Sequence, residues 1–318
     1  MCFIVAVSAG CAGSDTVTSQ ETPGTGTVNA KNVILFIGDG MGVSTVTAAR
    51  IFDGQSRGQT GEENVLSFER FPRTALVKTY NTNQQVSDSA GTATALHTGV
   101  KTRAGVISVG PQTHRRSCEE EKRWPVRTIG ELAKSRGKAL GIVTTARITH
   151  ATPATVYAHS AERDWEGDAF LSDEQIRQGC GDIARQLVEF DVGGGFEIAL
   201  GGGARAFYGS ELGGRRQASD GNLVAQWQQS GSNRNFVANR AELAAISRDD
   251  QVLGIFSRSH MTYMADRGED STRVVLQRGG TRLTWPRPGH RQKASWASDI
   301  LSFWAPFRMA PAHTCITY

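Results

Sequence analysis

The sequence predicts an α/β fold with a largely parallel central sheet. Three observations carry that prediction. Val33, Ile34, Leu35, Phe36 and Ile37 are apolar at every position, the pattern of a strand buried on both faces, and the run stops at Gly38-Asp39-Gly40 before a helical stretch. Short aliphatic runs then alternate with amphipathic ones along the chain. The chain has 318 residues, 39% hydrophobic and 21% charged, which suits one large domain or two ordinary ones. The charge content excludes a disordered chain, and the absence of an apolar run near 18 residues excludes an integral membrane protein.

In order, residues 43–52 read as the first helix, so the opening unit is strand, glycine-rich loop, helix. A second helix is expected to begin near Ser89, because residues 90–95 are all small and Asp88 or Ser89 can cap it. Residues 128–136 read as helix and 139–144 as an aliphatic strand. Residues 183–188 read as helix. A strand over 196–200 ends in Gly201-Gly202-Gly203. Residues 222–229 and 240–246 are expected to be helical, and 252–256 to form a further strand. In such sheets functional groups gather on loops at the carboxyl ends of strands.

The two ends differ from the body. Residues 1–12 are apolar and end in small residues, ahead of a polar run to residue 30, which reads as an export leader; Ser8-Ala9-Gly10 before Cys11 is similar to a lipoprotein cleavage site, giving a possible lipid anchor at Cys11. A plain N-terminal tail with a stray cysteine is the alternative. From residue 271 the chain holds six arginines and Lys293 against one acid, Asp299, with Trp285, Trp296 and Trp304. Such a tail suggests nucleic acid or anionic lipid; an abrupt change of composition with no linker also marks a frameshifted or chimeric end, and that reading is preferred, with no nucleic-acid partner expected. Of the five cysteines, Cys118 and Cys180 lie in the body. They are either two buried thiols or one bridge, whose loop of about 60 residues would add roughly 4 kcal/mol in the chain-entropy model.

Three segments carry candidate chemistry. Asp39, between glycines at a strand end, can serve a hard cation, although alone it reads first as a plain turn. Ser89 at a helix start sits where the helix dipole favours anions, although alone it reads first as ordinary capping by Asp88 or Ser89. His150 and Thr152 alternate after the strand at 139–144, so in extended chain they face the same way and could serve a metal; a lone histidine is more often a hydrogen-bonded loop residue.

Together these segments resemble one family. The run from Asn32 to Gly42, the run Asp88-Ser89-Ala90 through Thr102, and the run from His150-Ala151-Thr152-Pro153 to Arg163-Asp164-Trp165 are similar to the motifs of alkaline phosphatases, and the resemblance extends over about residues 31–267. It implies a three-layer α/β sandwich, two Zn2+ ions and a third, Mg2+-type site, phosphate monoesters as substrates, and commonly a homodimer. It implies Ser89 as nucleophile and zinc ligand, Asp39 as the carboxylate shared between a zinc and the third site, Thr152 and His150 at the third site, and Arg163 as the fork that grips two phosphate oxygens. His150 stands where some members carry Asp, and an imidazole suits zinc or cobalt better than magnesium. Cys118 and Cys180 match a disulfide of the animal-like branch, and His159 is left as structural.

The chain departs from the family after residue 267. The later zinc ligands, an Asp and a His four apart, an Asp-His pair and a final His, do not follow; only His290 and His313 remain. Zinc takes about four ligands, so the fold is expected to be incomplete at its C-terminus and the chain to have little or no activity. The expected organisation is a leader at 1–30, a partial α/β domain at 31–270 and the tail at 271–318. Export to the periplasm, or anchoring as a lipoprotein, is the expected location. A truncated homologue that binds phosphate or metal without catalysis is the alternative.

Overall fold

A computed structural model of the chain describes residues 32–217, 221–247, 249–263 and 266, and the backbone of 313–317. The leader, Cys11 and residues 271–312 of the tail lie outside the described residues. Six strands form one sheet: β1 (Asn32–Phe36), β2 (Leu140–Arg147), β3 (Ile198–Gly202), β4 (Arg234–Val237), β5 (Gln251–Ile255) and β6 (His313–Thr317), in the order β1-β6-β2-β3-β5-β4. Every neighbouring pair is parallel. Gly141, Ile142 and Val143 of β2 face Ile198, Ala199 and Leu200 of β3, and a register shift follows before Arg147 meets Gly202.

Both faces of β2, β3 and β5 are covered, which is why these strands read as continuously apolar. β1 departs from the expectation of burial on both faces: Val33 and Phe36 are exposed, and Ile34 and Leu35 are only partly buried. Leu140 and Ile142 of β2, Ala199 of β3, and Leu253 and Ile255 of β5 point into the larger core. There they meet α5 (Ala151–Ala154), α7 (Ile183–Val188) and α8 (Leu223–Gln229), with Phe196 stacked on Trp227. The residues between them, Val143, Ile198, Leu200 and Val252, face the other way, against Leu243 and Ile246 at and just beyond α9 (Arg240–Ala245). Each buried Leu or Ile contributes about 1.5–3 kcal/mol.

The expected elements are present with small shifts at their ends: α1 spans Val43–Gln55, α2 Ser89–Thr98 and α4 Ile129–Lys134. Besides α5 and β6, three further α-helices or strands were not anticipated. α3 (Cys118–Arg123) and α6 (Asp173–Arg177) are short and polar, so no apolar period marks them; Ser117 and Ser172 cap them. β4 is a four-residue edge strand. Of residues 271–318, the structure describes only β6, a strand of the sheet between β1 and β2.

Candidate active site

Asp39 sits in the turn after β1, where Gly40 takes φ +68°, a conformation that favours glycine. Its Oδ2 accepts from Thr152 Oγ1 at 2.8 Å and lies 3.7 Å from His150 Nδ1. The expectation of an extended 149–152 segment is corrected here. His150 is the N-cap of α5, and Thr152 and Pro153 lie in its first turn, where the N–H that proline lacks has no helical partner anyway. The two side chains still converge on Asp39, through a helix start instead of strand alternation.

α2 presents Ser89 as its first residue, with Asp88 as N-cap. Asp88 gathers four donors: the Gly91 N–H (3.0 Å), Asn81 Nδ2 (2.9 Å), the Gly105 N–H (2.8 Å) and Arg163 Nη1 (3.0 Å). Burial opposes its ionisation, but the Gly91 amide, Arg163 and Asn81 outweigh this and hold its carboxyl below the usual range. The small residues of α2 are needed where the helix meets backbone: a Cβ at Gly91 would fall 2.6 Å from Asn81 Oδ1 and 2.8 Å from the Arg103 carbonyl. Ser89 is partly buried, and no hydrogen bond to its Oγ forms within the described residues.

Arg163 joins the two parts. Its Nη1 holds Asp88, and its Nη2 lies 3.3 Å from His150 Nε2. That contact places a guanidinium donor against an imidazole lone pair, so His150 is neutral. Burial, then the Arg163 charge, push its pKa down to about 4. Asp88, Arg163, His150, Asp39 and Thr152 therefore form one continuous series of contacts, with Ser89 the chain neighbour of Asp88.

Sequence reasoning missed a second shell of groups. The buried Glu166 carboxylate accepts from Arg147 Nε (2.7 Å) and Thr149 Oγ1 (2.7 Å), and Arg147 also bonds His260, whose ring meets His150 edge-on at 5.4 Å. Nothing in the sequence separates these residues from ordinary surface polar groups. His159 is structural, as expected: it faces the Ser108 carbonyl (2.7 Å) and Glu131 (3.1 Å). Although burial lowers its pKa, those two acceptors raise it further. Cys118 and Cys180 lie outside the site, with sulfurs at bonding distance, Cα atoms 5.4 Å apart, and Ala161, Trp165 and Leu171 packed around them.

The family model for alkaline phosphatase matches residues 30–294. The chain belongs to the alkaline phosphatase family. It is 47% identical over 259 residues to the tissue-nonspecific alkaline phosphatase of Gallus gallus, covering 76% of this chain and 49% of that protein. The chain thus spans about half the length of the curated relatives it matches. Its fold is that of solved alkaline phosphatases. The cold-active enzyme of the psychrophile Shewanella sp. matches with a TM-score of 0.61 and 24% identity, over 91% of this chain and 56% of that one. A mutant of the alkaline phosphatase from the Antarctic bacterium TAB5, with magnesium bound in its M3 site, matches with a TM-score of 0.57 and 21% identity, over 90% and 63%.

The donor chemistry fits one family cation better than the others. Asp39, Thr152 and His150 supply a carboxylate, a hydroxyl and an imidazole; His150 Nδ1 is buried with no hydrogen-bond partner, and with Nε2 facing Arg163 it carries the ring proton, so it would ligate a cation only after a change of tautomer. For zinc the described residues fall short: no group of three or more His, Cys, Asp or Glu side chains comes together among them. Nor is any described helix long and apolar enough to cross a membrane.

Proposed function

We propose that this chain is a phosphoric monoester hydrolase of the alkaline phosphatase type, carrying the nucleophile and phosphate-gripping half of the site. The observation that supports it is the Asp88–Arg163 pair at the start of α2: the N-cap carboxylate of a ten-residue helix whose first residue is Ser89 holds a guanidinium. The α2 N-terminus favours a dianion. Arg163, a planar fork, holds two phosphate oxygens, and Ser89 Oγ is the nucleophile that meets phosphorus in line. Because the contacts centre on the phosphate, many monoesters serve as substrates.

A bound cation would supply Lewis-acid polarisation of oxygen and neutralise phosphate charge. Asp39, Thr152 and His150 would hold it in the third site, Mg2+ being the family's ion and the imidazole shifting preference toward zinc. The two Zn2+ positions lack enough described donors, so this chain alone captures phosphate but turns it over slowly or not at all. That shortage also favours the second reading, a non-catalytic phosphate- or metal-binding homologue. The test is hydrolysis of p-nitrophenyl phosphate by the full chain in zinc and magnesium, with Ser89→Ala as control. Robust turnover lost in Ser89→Ala would show a complete active centre; no turnover, with phosphate bound and a cooperative melt, would establish the non-catalytic reading.

Export, a lipid anchor at Cys11, a periplasmic location and homodimerisation complete the proposal, supported by the leader sequence and the family.

A further inference from the structure

Three residues after Ser160, which bridges Ile107, Arg163 lies in a turn. Its N–H donates to the Gly105 carbonyl at 2.9 Å. The residue before it, Glu162, is buried, with 1% of its side chain exposed. Its carboxylate accepts from Arg115 Nε at 3.0 Å and Arg115 Nη2, from Arg116 Nε at 3.1 Å, and from the Asp164 N–H at 3.3 Å. The last of these bonds spans Arg163 itself, joining the side chain before it to the amide after it.

Arg115 reaches Glu162 across Gly105, where a Cβ would fall 2.6 Å from Arg115 Nε and where φ is +81°. Gly105 also donates its N–H to Asp88 Oδ2 at 2.8 Å. The arrangement is closed: Asp88 and Gly105 hold Arg163 from one side, and Arg115 with Glu162 holds its turn from the other. The clamp has its own anchor, because the Arg116 N–H donates to the Ala161 carbonyl at 2.9 Å and Cys118 meets Cys180 two residues on.

We propose that Arg115, acting through the buried Glu162 carboxylate, is a positioning residue for Arg163. This rests on the reading of Arg163 as the phosphate grip. Without Arg115, Glu162 keeps Arg116 as its sole guanidinium partner and is left as an under-compensated buried charge. The carboxylate then turns toward water and draws the 162–164 turn with it. A shift of that kind in a group that must meet two phosphate oxygens costs affinity out of proportion to its size. Arg115 is half-exposed, with 47% of its side chain accessible, so shortening it opens no cavity in the core.

The experiment uses the full chain and the variants Arg115→Ala, Arg115→Met, Arg115→Lys and Arg163→Ala. The deciding readout is the NMR order parameter of the Arg163 Nε–H group, assigned by its loss in Arg163→Ala, with the thermal melt as the control for folding. The parent is expected to be rigid, about 0.85, and Arg115→Ala to fall below about 0.6 at an unchanged melt. Arg115→Lys restores part of the rigidity, since an ammonium replaces the charge but not the fork. Arg115→Met keeps the aliphatic stem and serves if the alanine variant does not fold. A rigid Arg163 in folded Arg115→Ala or Arg115→Met overturns the proposal. Calorimetric titration with inorganic phosphate tests the underlying reading separately. Arg163→Ala is expected to bind phosphate at least tenfold more weakly; unchanged binding there would sink the phosphate-grip reading, whatever the order parameter shows.

Discussion

Asp88 and Asp39 are both carboxylates placed just ahead of a helix, yet they are held very differently. Asp88 receives four hydrogen bonds from three separate segments and caps α2. Asp39 receives one, from Thr152, in a turn that follows a strand whose Val33 is 48% and Phe36 45% exposed. The Asp88 side is therefore fixed before anything binds, which suits the proposed role of Arg163 in receiving phosphate in one orientation. The Asp39 side keeps its freedom, as suits a carboxylate whose position a cation would set.

Truncation in the two regions should separate them most clearly. Leu253→Ala, in the larger core that also takes in Ala90 of α2, is expected to cost about 3–5 kcal/mol in urea denaturation, and Phe36→Ala on β1 under about 1 kcal/mol. Equal losses would break the comparison. Next in size, the Cys118–Cys180 bridge closes 62 residues around the segment that leads to Arg163. Its removal by Cys118→Ser/Cys180→Ser should cost about 2–4 kcal/mol, and mass analysis of the unreduced chain should show no free thiol at either position.

Acid offers a third separation. His97 lies at the far end of α2, buried against Thr155 Oγ1 at 2.7 Å, and burial pushes its pKa from the usual 6.5 down to about 4. The unfolded chain binds that proton first, so the contribution is complete above pH 6.5 and is lost as pH falls toward about 4, by roughly 3 kcal/mol. In His97→Asn, which keeps a partner for Thr155, melts taken across that window should lack this slope. The smallest effect belongs to Thr152→Val. Loss of its bond to Asp39 should change stability by less than about 1 kcal/mol, while amide exchange of residues 39–42 quickens. No change in exchange would mean that Thr152 does not hold the loop.

The fold was legible because both faces of β2, β3 and β5 are buried, so they read as plain aliphatic runs; β1 reads the same way although Val33 and Phe36 are exposed. The short elements were not: α3 is polar on all sides and announces itself only through Ser117 and three glutamates in its first turn. Asp39, Ser89, His150, Thr152 and Arg163 were singled out through motif resemblance; the structure links Asp39, Thr152, His150 and Arg163 by contacts and leaves Ser89 next to Asp88 in the chain. Asp88 was read as a cap alone, because a cap needs only local sequence; its bonds to Gly105 and Arg163 depend on residues 17 and 75 positions away. Arg115 and Glu162, 47 positions apart, escaped for the same reason.

β1 has one ladder neighbour among the described strands, β6, which lies at the opposite end of the chain. On a ribosome, the segments that build the Asp88 side can pair and pack as they emerge. β1 has no described strand to join until residues 313–317 are synthesised. The Asp39 loop is thus the earliest part of the site to be translated and the last to be put in place.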